Sequence, residues 1–189
     1  MTVSNRIPFG ARTAWFVNPQ LPPLLLYELT SQVKELTYHR SRIGIDGQET
    51  EHSMRTSNQS WLCWDTWVAG IMHNIFISAN NDFFKYDLDH FDSGIQATKY
   101  EVGQKYGWHV DDGDSIKKPR KLSMSLVLGS EFTGGELEIF DSFQNKNLTY
   151  DIKPGNVVIF PSWMSHRVKP VTSGTRYSLV AWMNGPEFK

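Results

Sequence analysis

Tyr106-Gly-Trp-His-Val-Asp-Asp112 is the stretch around which this 189-residue chain is organised. His109 and Asp111 are separated by one residue, so on an extended strand both side chains point to the same face. One imidazole beside one carboxylate supplies two of the three ligands of a facial triad, which binds Fe(II) and leaves coordination positions open. The best candidate for the third ligand is His166, which lies 57 residues further along the chain.

Two other histidines compete with His166 for the third position. His73 lies in a predicted helix and His90 at the end of a predicted strand. Neither has a second ligand at a suitable spacing, so we interpret both as structural or surface residues. Asp112 directly follows Asp111 but points to the opposite face if the strand continues, which favours Asp111 as the ligand.

The second half of the chain carries a continuous series of β-strand signals. Residues 120–128 alternate between two faces with the period of two that a strand requires. Gly134-Gly135 and Pro154-Gly155 are turn signals. The predicted strands are residues 96–102, 108–111, 120–128, 136–140, 148–152, 156–160 and 176–182. Short strands separated by regularly spaced turns indicate a sandwich or a barrel.

The first half of the chain is predicted to supply helices that pack against this sheet. Residues 24–36 place apolar side chains at helical spacing, with Pro22 or Pro23 in the first turn. A second helix is predicted from Ser60, a plausible N-cap, towards Ser78. Three further strands are predicted at residues 9–17, 38–45 and 81–89. Together these patterns predict a mostly β fold with N-terminal helices.

Composition limits the function classes. The 40% hydrophobic and 21% charged residues are ordinary for a soluble globular protein, and the length suits one domain. A net charge of −1 gives no electrostatic reason to expect nucleic acid or a membrane surface as partner. No apolar run is long enough to span a bilayer. The single Cys63 excludes an intramolecular disulfide and a cysteine-based zinc cluster, and it predicts a reducing, intracellular location.

The order of the candidate residues resembles that of a known enzyme family. Arg176 follows His166 by ten residues, on a strand of sequence Arg-Tyr-Ser-Leu-Val-Ala-Trp. Together with the His109-x-Asp111 motif, this order resembles the iron- and 2-oxoglutarate-dependent dioxygenases. The resemblance covers roughly residues 79–186 and is closest to small phage and bacterial members of the prolyl 4-hydroxylase-like (PKHD-type) branch. It implies a double-stranded β-helix, or jelly roll, flanked by helices.

This resemblance also implies a domain organisation. Residues 1–189 are predicted to form a single dioxygenase domain. Within it, about 1–90 provides helical and strand support, and about 91–186 forms the jelly-roll catalytic core. The expected location is the cytoplasm of a bacterial or phage-infected cell.

The predicted cosubstrate site is built around Arg176. Its planar guanidinium can bind the distal carboxylate of 2-oxoglutarate through two parallel hydrogen bonds, and Ser178, two residues on, can donate a third. Tyr100 matches the tyrosine that hydrogen-bonds this carboxylate in the family, with packing in the sandwich core as the alternative. Trp182 matches an aromatic residue near the family's site, and core packing is again the alternative.

Four aromatic residues are predicted to form substrate walls: Tyr106, Trp108, Trp163 and Trp182. The alternative for Tyr106 and Trp108 is that they only cap the sheet. Residues 112–118 read as a polar loop beside the metal, which is either a lid over the substrate or an ordinary solvated loop. Arg55-x-Ser57 resembles an Arg-x-Ser element that precedes a helix in many family members.

The resemblance implies an enzyme that uses Fe(II), 2-oxoglutarate and O2, with ascorbate as a reductant, to hydroxylate a C–H bond and release succinate and CO2. The expected substrate is a peptidyl prolyl residue. The alternatives are another protein side chain, a free amino acid or a small metabolite. The sequence does not determine the oligomeric state.

Two other function classes are disfavoured. The nucleic-acid repair demethylases of this superfamily carry a further arginine where this chain has Trp182. A non-catalytic jelly-roll binding or structural module would have no need for three metal ligands and Arg176.

Overall fold

The computed structural model describes residues 15–17, 21–45, 48–50, 53–92, 94–111, 119–142, 144–150 and 153–187. These residues include the helices α1 (Pro23–Lys34) and α2 (Trp67–Ala79), and a π-helical turn at Asn80–Phe84. They also include the strands β1 (Trp15–Val17), β2 (His39–Arg40), β3 (Ile43–Ile45), β4 (Gln48–Thr50), β5 (Asn58–Leu62), β6 (Ile95–Tyr100), β7 (Tyr106–His109), β8 (Arg120–Leu128), β9 (Phe132–Gly134), β10 (Leu137–Asp141), β11 (Lys146–Tyr150), β12 (Val157–Pro161), β13 (His166–Val168), β14 (Val171–Gly174) and β15 (Arg176–Asn184).

Two antiparallel sheets carry the fold. The large sheet has the strand order β1-β12-β8-β15-β6-β5-β2, and the small sheet has the order β11-β10-β13-β7. Neighbouring strands such as β8 and β15 are far apart in the chain, as in a double-sheet jelly roll and unlike a simple meander. The predicted mostly β fold with N-terminal helices is confirmed, while the division into supporting and catalytic parts stays a prediction.

The large sheet separates two hydrophobic cores because side chains alternate along its strands. One face packs against the helices, and its core includes Leu29, Val33, Met72, Phe76, Leu122, Met124, Leu126, Leu179 and Ala181. The other face packs against the small sheet, with a core that includes Val127, Leu137, Ile139, Val158, Phe160 and Val168. Both faces are therefore covered, which explains why β8 is buried from Lys121 to Leu128.

The second helix begins later than the sequence pattern predicts. Ser60 lies in β5, which pairs with β6 from Asn58 opposite Lys99 to Leu62 opposite Ile95, and α2 begins only at Trp67. Trp61 and Trp64 extended the helical spacing towards the N-terminus, but both side chains are exposed. This segment forms a strand and not a helix because it pairs with β6, which follows more than 30 residues later in the chain.

The strand predicted at residues 81–89 does not form. The chain continues α2 into the π-helical turn, which ends at Lys85 in the left-handed conformation, at φ 59°. The Asn80 amide holds this end, because Nδ2 donates to the Tyr86 carbonyl at 2.9 Å and Oδ1 accepts from the Tyr86 amide at 2.8 Å. The first predicted helix is confirmed as α1, with Pro23 at its first position.

Three predicted segments lie partly or wholly outside the described residues. They are the polar loop at 112–118, the first part of the strand predicted at 9–17, of which Trp15–Val17 forms β1, and the last two residues of the strand predicted at 148–152, whose described part belongs to β11. Within the described part of the chain, neither helix combines the length and the apolar character needed to cross a membrane.

Candidate active site

The three predicted metal ligands come together where β7 and β13 lie side by side. The register places His109 opposite His166, and their ring centroids are 4.1 Å apart. Asp111 Oδ1 lies 3.6 Å from His109 Nε2, and Asp111 Oδ2 lies 3.5 Å from His166 Nε2. Among the residues that the structure describes, no other group of three His, Cys, Asp or Glu side chains brings its ligand atoms within 4.8 Å of one another.

Backbone contacts turn both imidazoles towards this cluster. His109 Nδ1 lies 2.8 Å from the Gly107 carbonyl oxygen, and His166 Nδ1 lies 2.9 Å from that of Met164. A carbonyl only accepts, so each Nδ1 carries the proton and each Nε2 presents a lone pair. Metal-binding histidines are oriented in this way by a hydrogen bond from the other ring nitrogen. Two such nitrogens and one carboxylate are a donor set that fits Fe(II).

Burial and neighbouring groups together set the protonation states of His109 and Asp111. Burial, reinforced by the adjacent His166, lowers the pKa of His109 to about 4. Burial alone would raise the pKa of Asp111, but the two imidazoles, the Trp182 indole N–H and the Ser123 hydroxyl bring it below its ordinary value. At neutral pH, His109 is therefore uncharged and Asp111 is ionised, which are the forms that bind a metal.

We expect the metal-free protein to lose stability as the pH falls from about 6.5 to about 4. The pKa of His109 is about 4 in the folded protein and near 6.5 in the unfolded chain, so in this window unfolding takes up protons. Urea unfolding with a chelator present at each pH measures the effect. The decline in the free energy of unfolding with falling pH should be smaller in His109→Gln, which lacks the titrating imidazole. Equal declines in both proteins would contradict this assignment.

A pocket of about 380 Å³ is lined by the triad and also by a buried arginine. Arg176 begins β15, pairs with Tyr100 of β6 and is only 1% exposed. Its Nη1 donates to Ser178 Oγ at 2.8 Å, and its guanidinium carbon lies 5.5 Å from the centre of the Tyr100 ring. Burial lowers the pKa of Arg176, and within the described residues no carboxylate pairs with it. A buried cation without an anion costs free energy, so an anionic ligand is the expected partner.

The Gly134-Gly135 segment connects β9 to β10 and lies against Arg176. The sequence predicts a turn here, but β9 pairs with β14 and β10 pairs with β13, so the chain continues past the two glycines without reversing. Both glycines have positive φ, at 73° and 68°. A Cβ at position 135 would lie 2.7 Å from Arg176 Cδ and 3.1 Å from Val171 Cγ2. The backbone can approach the arginine side chain this closely because position 135 has no side chain.

Two of the predicted aromatic residues line the pocket beside the triad. Tyr106 stacks on His109 with ring centroids 3.5 Å apart and planes inclined by 14°. Trp182 is 5% exposed and has the Arg120 guanidinium 4.1 Å above its ring. Its Nε1–H is buried near Asp111 but completes no hydrogen bond of standard geometry.

The other two predicted aromatic walls lie elsewhere among the described residues. Trp108 contacts the Arg167 guanidinium, which lies 4.7 Å from its ring centre. Trp163 packs beside Tyr86, with ring centroids 5.7 Å apart. Neither tryptophan belongs to the described lining of the pocket.

Arg55 also lines the pocket, which its sequence context, an Arg-x-Ser element, does not predict. The side chain is 9% exposed, and its Nε donates to Ser57 Oγ at 3.3 Å. Its guanidinium carbon lies 4.7 Å from the centre of the Tyr106 ring, and no carboxylate in the described part of the chain pairs with it. Other lining residues that the sequence analysis missed are Arg42, Gln59, Trp61, Gln96, Thr98 and Arg120.

The segment that carries most of this pocket is similar to a family of known proteins. Residues 95–184 match the family described as the 2OG-Fe(II) oxygenase superfamily. This segment is similar to the 2OG-Fe(II) oxygenases. It includes all three triad residues, together with Tyr100 and Arg176, and the family that it resembles uses Fe(II), 2-oxoglutarate and O2.

Curated relatives resemble about half of the chain. A PKHD-type hydroxylase of Idiomarina loihiensis is 33% identical over 93 residues, which cover 47% of this chain and 41% of the relative. A PKHD-type hydroxylase of Synechococcus sp. strain CC9605 is 38% identical over 91 residues, or 47% and 40% of the two chains. The chain therefore spans about two fifths of the length of these relatives.

Solved structures share the fold over most of the chain. A prolyl 4-hydroxylase of Pseudomonas putida aligns with a TM-score of 0.73 and 20% identity, covering 93% of this chain and 94% of that one. A prolyl hydroxylase of Trichoplax adhaerens aligns with a TM-score of 0.76 and 17% identity, covering 92% and 84%. The chain thus shares the jelly-roll fold of these enzymes, as the sequence predicts.

Proposed function

We propose that the protein is an Fe(II)- and 2-oxoglutarate-dependent dioxygenase that hydroxylates a prolyl residue in a peptide or protein. One observation carries the proposal. A single pocket is lined both by the His109–Asp111–His166 cluster and by Arg176, a buried guanidinium that no described carboxylate neutralises. A metal site and an anion site in one pocket are what this chemistry requires of a protein.

Each group of residues has a defined task. His109, Asp111 and His166 would hold Fe(II) through two Nε2 atoms and a carboxylate, and coordination positions would stay open. Arg176 and Ser178 would bind the distal carboxylate of 2-oxoglutarate, with Tyr100 beside them. When bound, the metal, 2-oxoglutarate and O2 supply an oxidation that inserts one oxygen atom into a C–H bond and releases succinate and CO2.

Burial makes these interactions strong. The triad side chains are at most 10% exposed, and Arg176 is more deeply buried still. A guanidinium–carboxylate pair is much stronger in such a water-poor site than at the surface.

We also propose ascorbate as the reductant that maintains Fe(II). The proposed location is the cytoplasm, because Cys63 is a free thiol.

The prolyl substrate is supported by the walls of the pocket. A prolyl ring is compact and uncharged, so it requires an aromatic slot. Tyr106, Trp61 and Trp182 provide such walls. A proline-rich segment is already extended and loses little entropy on binding. Support also comes from the Trichoplax adhaerens neighbour, a prolyl hydroxylase in complex with a hypoxia inducible factor peptide fragment.

A second candidate substrate class is a small molecule with a carboxylate, such as a free amino acid. The observation that favours it is Arg55, a second buried guanidinium in the same pocket to which no described carboxylate is paired. A substrate carboxylate would neutralise it, whereas an internal proline-rich segment without acidic residues would offer it only backbone carbonyl groups.

The decisive experiment supplies the Fe(II) protein and 2-oxoglutarate with proline-rich peptides, free proline or buffer alone. We expect succinate formation to accelerate with peptide, together with a mass gain of one oxygen atom on a prolyl residue. Arg55→Gln should change peptide turnover little, because the peptide brings no carboxylate to that position.

Different results select different functions. Succinate at the same rate in all three samples would leave the cofactor assignment standing and remove the prolyl substrate. Oxidation of free proline alone, with its KM raised about 30-fold or more in Arg55→Gln, would favour the small carboxylate. Absence of succinate in every sample would contradict the dioxygenase itself.

A further inference from the structure

Asp111 is the one member of the triad that no strand ladder holds in place. His109 ends β7 and His166 begins β13, so the β7–β13 pairing fixes both imidazoles. Asp111 lies two residues beyond the end of β7. Its position must therefore come from contacts outside the small sheet.

The backbone of Asp111 is attached to the large sheet. Its N–H donates to the Ser162 carbonyl at 2.9 Å, and its own carbonyl accepts from Arg120 Nη1 at 3.2 Å. Ser162 directly follows β12, and its N–H donates to the Lys121 carbonyl on β8 at 3.1 Å. Asp111 is thus tied to the ends of β8 and β12, which are neighbours in that sheet.

The carboxylate of Asp111 is held by a chain of two hydroxyl groups. Ser123 Oγ donates to Asp111 Oδ2 at 2.7 Å, and Ser162 Oγ lies 2.9 Å from Ser123 Oγ. A serine hydroxyl has one proton, and that of Ser123 goes to Asp111, so Ser162 donates to Ser123. Both serines are almost completely buried. A hydrogen bond to a carboxylate in such surroundings is strong, and the second hydroxyl polarises the first.

We propose that Ser123 is a positioning residue that restricts Asp111 to one metal-binding oxygen, Oδ1, by holding Oδ2 in a hydrogen bond. This inference rests on the proposed metal site. Both oxygens face the imidazoles, since Oδ1 lies 3.6 Å from His109 Nε2 and Oδ2 lies 3.5 Å from His166 Nε2. Ser123 donates to Oδ2 alone, so the hydrogen bond occupies a lone pair of Oδ2 and leaves Oδ1 as the better donor to a metal.

Restriction to one oxygen matters because coordination positions are few. Two imidazoles and one carboxylate oxygen occupy three of the six octahedral positions, which leaves two for 2-oxoglutarate and one for O2. A carboxylate that binds through both oxygens would occupy a fourth position, and only two positions would remain for the three donor atoms of 2-oxoglutarate and O2. Ser123 therefore serves the reaction by keeping a position open as well as by orienting a ligand.

The test uses Mn(II) as the probe and four serine variants. Ser123→Ala and Ser162→Ala shorten the hydroxyl chain, and Ser123→Thr retains a hydroxyl at the first position. Ser125→Ala is the matched control, because Ser125 lies on the same strand and face and lines the pocket two residues away. Electron paramagnetic resonance gives the Mn(II) dissociation constant, and line broadening by ¹⁷O-labelled water counts the water molecules on the bound ion.

We expect Ser123→Ala to raise the Mn(II) dissociation constant by about 10- to 100-fold, as removal of a partner hydrogen-bonded to a metal ligand does elsewhere. The water count should fall from about three to about two as Oδ2 joins the ion. Ser162→Ala should act in the same direction but less strongly. Ser123→Thr and Ser125→Ala should resemble the unmodified protein.

The outcomes separate this inference from the proposed function. If the unmodified protein does not bind Mn(II), the metal site itself is wrong. If it binds and Ser123→Ala matches Ser125→Ala in both measurements, the role of Ser123 is wrong. A weaker affinity with an unchanged water count would also overturn the restriction to one oxygen. Should Ser123→Ala fail to fold in a thermal melt, Ser162→Ala decides by the same two measurements.

Discussion

Replacing His166 with Ala is expected to abolish 2-oxoglutarate turnover and to weaken metal binding in the same protein. His166 Nε2 lies 3.5 Å from Asp111 Oδ2, and the imidazole faces His109 across the β7–β13 pair. The variant would retain one imidazole and one carboxylate, which do not hold Fe(II) on one octahedral face. Succinate formation with Fe(II) and calorimetric titration with Mn(II), a redox-inert stand-in, measure the two effects.

Two kinds of control make this result specific. His73→Ala and His90→Ala remove exposed histidines that also competed as ligands in the sequence analysis, and both should keep full turnover. His166→Gln retains most of the side-chain volume beside Phe160, so a loss of turnover there cannot come from a cavity. Full activity in His166→Ala would show that the third ligand is a different residue.

The second large effect concerns the cosubstrate. Arg176→Leu should bind Mn(II) normally and require far more 2-oxoglutarate. Loss of one partner of a desolvated charge pair costs about 2–5 kcal/mol, which corresponds to about 30- to 4,000-fold in affinity. Anaerobic titration of the Fe(II) protein with 2-oxoglutarate, following the visible charge-transfer band, measures this change.

Arg167→Leu is the matched control for Arg176→Leu. Arg167 pairs with Glu138 on the small sheet, its side chain is 36% exposed, and it does not belong to the described lining of the pocket. The same substitution there should leave the 2-oxoglutarate titration unchanged. An unchanged titration in Arg176→Leu itself would remove Arg176 from the cosubstrate site.

Two residue pairs of the site, His109 with Asp111 and Arg176 with Ser178, could be predicted because each pair has a local signal, whereas the order of His166 and Arg176 came from the family resemblance. His109 and Asp111 follow each other at a spacing of two, and Arg176 and Ser178 do the same on a strand with clear β character. The prediction for Asp111 rested on a continuing strand, however, whereas β7 ends at His109. Ser123, Ser162 and Arg120 hold Asp111 beside the cluster instead.

The residues that were missed depend on strand order, which no local pattern contains. In the sequence, Ser123 is only a small polar residue that alternates with the apolar residues of its strand. It reaches Asp111 because β8 and β12 are neighbours, with Ser123 opposite Phe160. Trp61 continued a helical spacing, yet β5 pairs with β6 and places it in the pocket lining. Trp163 lies three residues before His166 and was predicted as a substrate wall. It packs beside Tyr86 instead, because the turn after β12 directs it away from the triad.

Gly135 makes the surroundings of Arg176 sensitive to natural variation in a way that the side chains of the pocket do not reveal. Connections between strands usually vary among relatives, both in their residues and in their length. The connection between β9 and β10 is restricted, because its backbone lies against Arg176 and a methyl group at position 135 would meet Arg176 Cδ at 2.7 Å. We therefore expect glycine to persist at position 135 in descendants of this chain while exposed positions diverge.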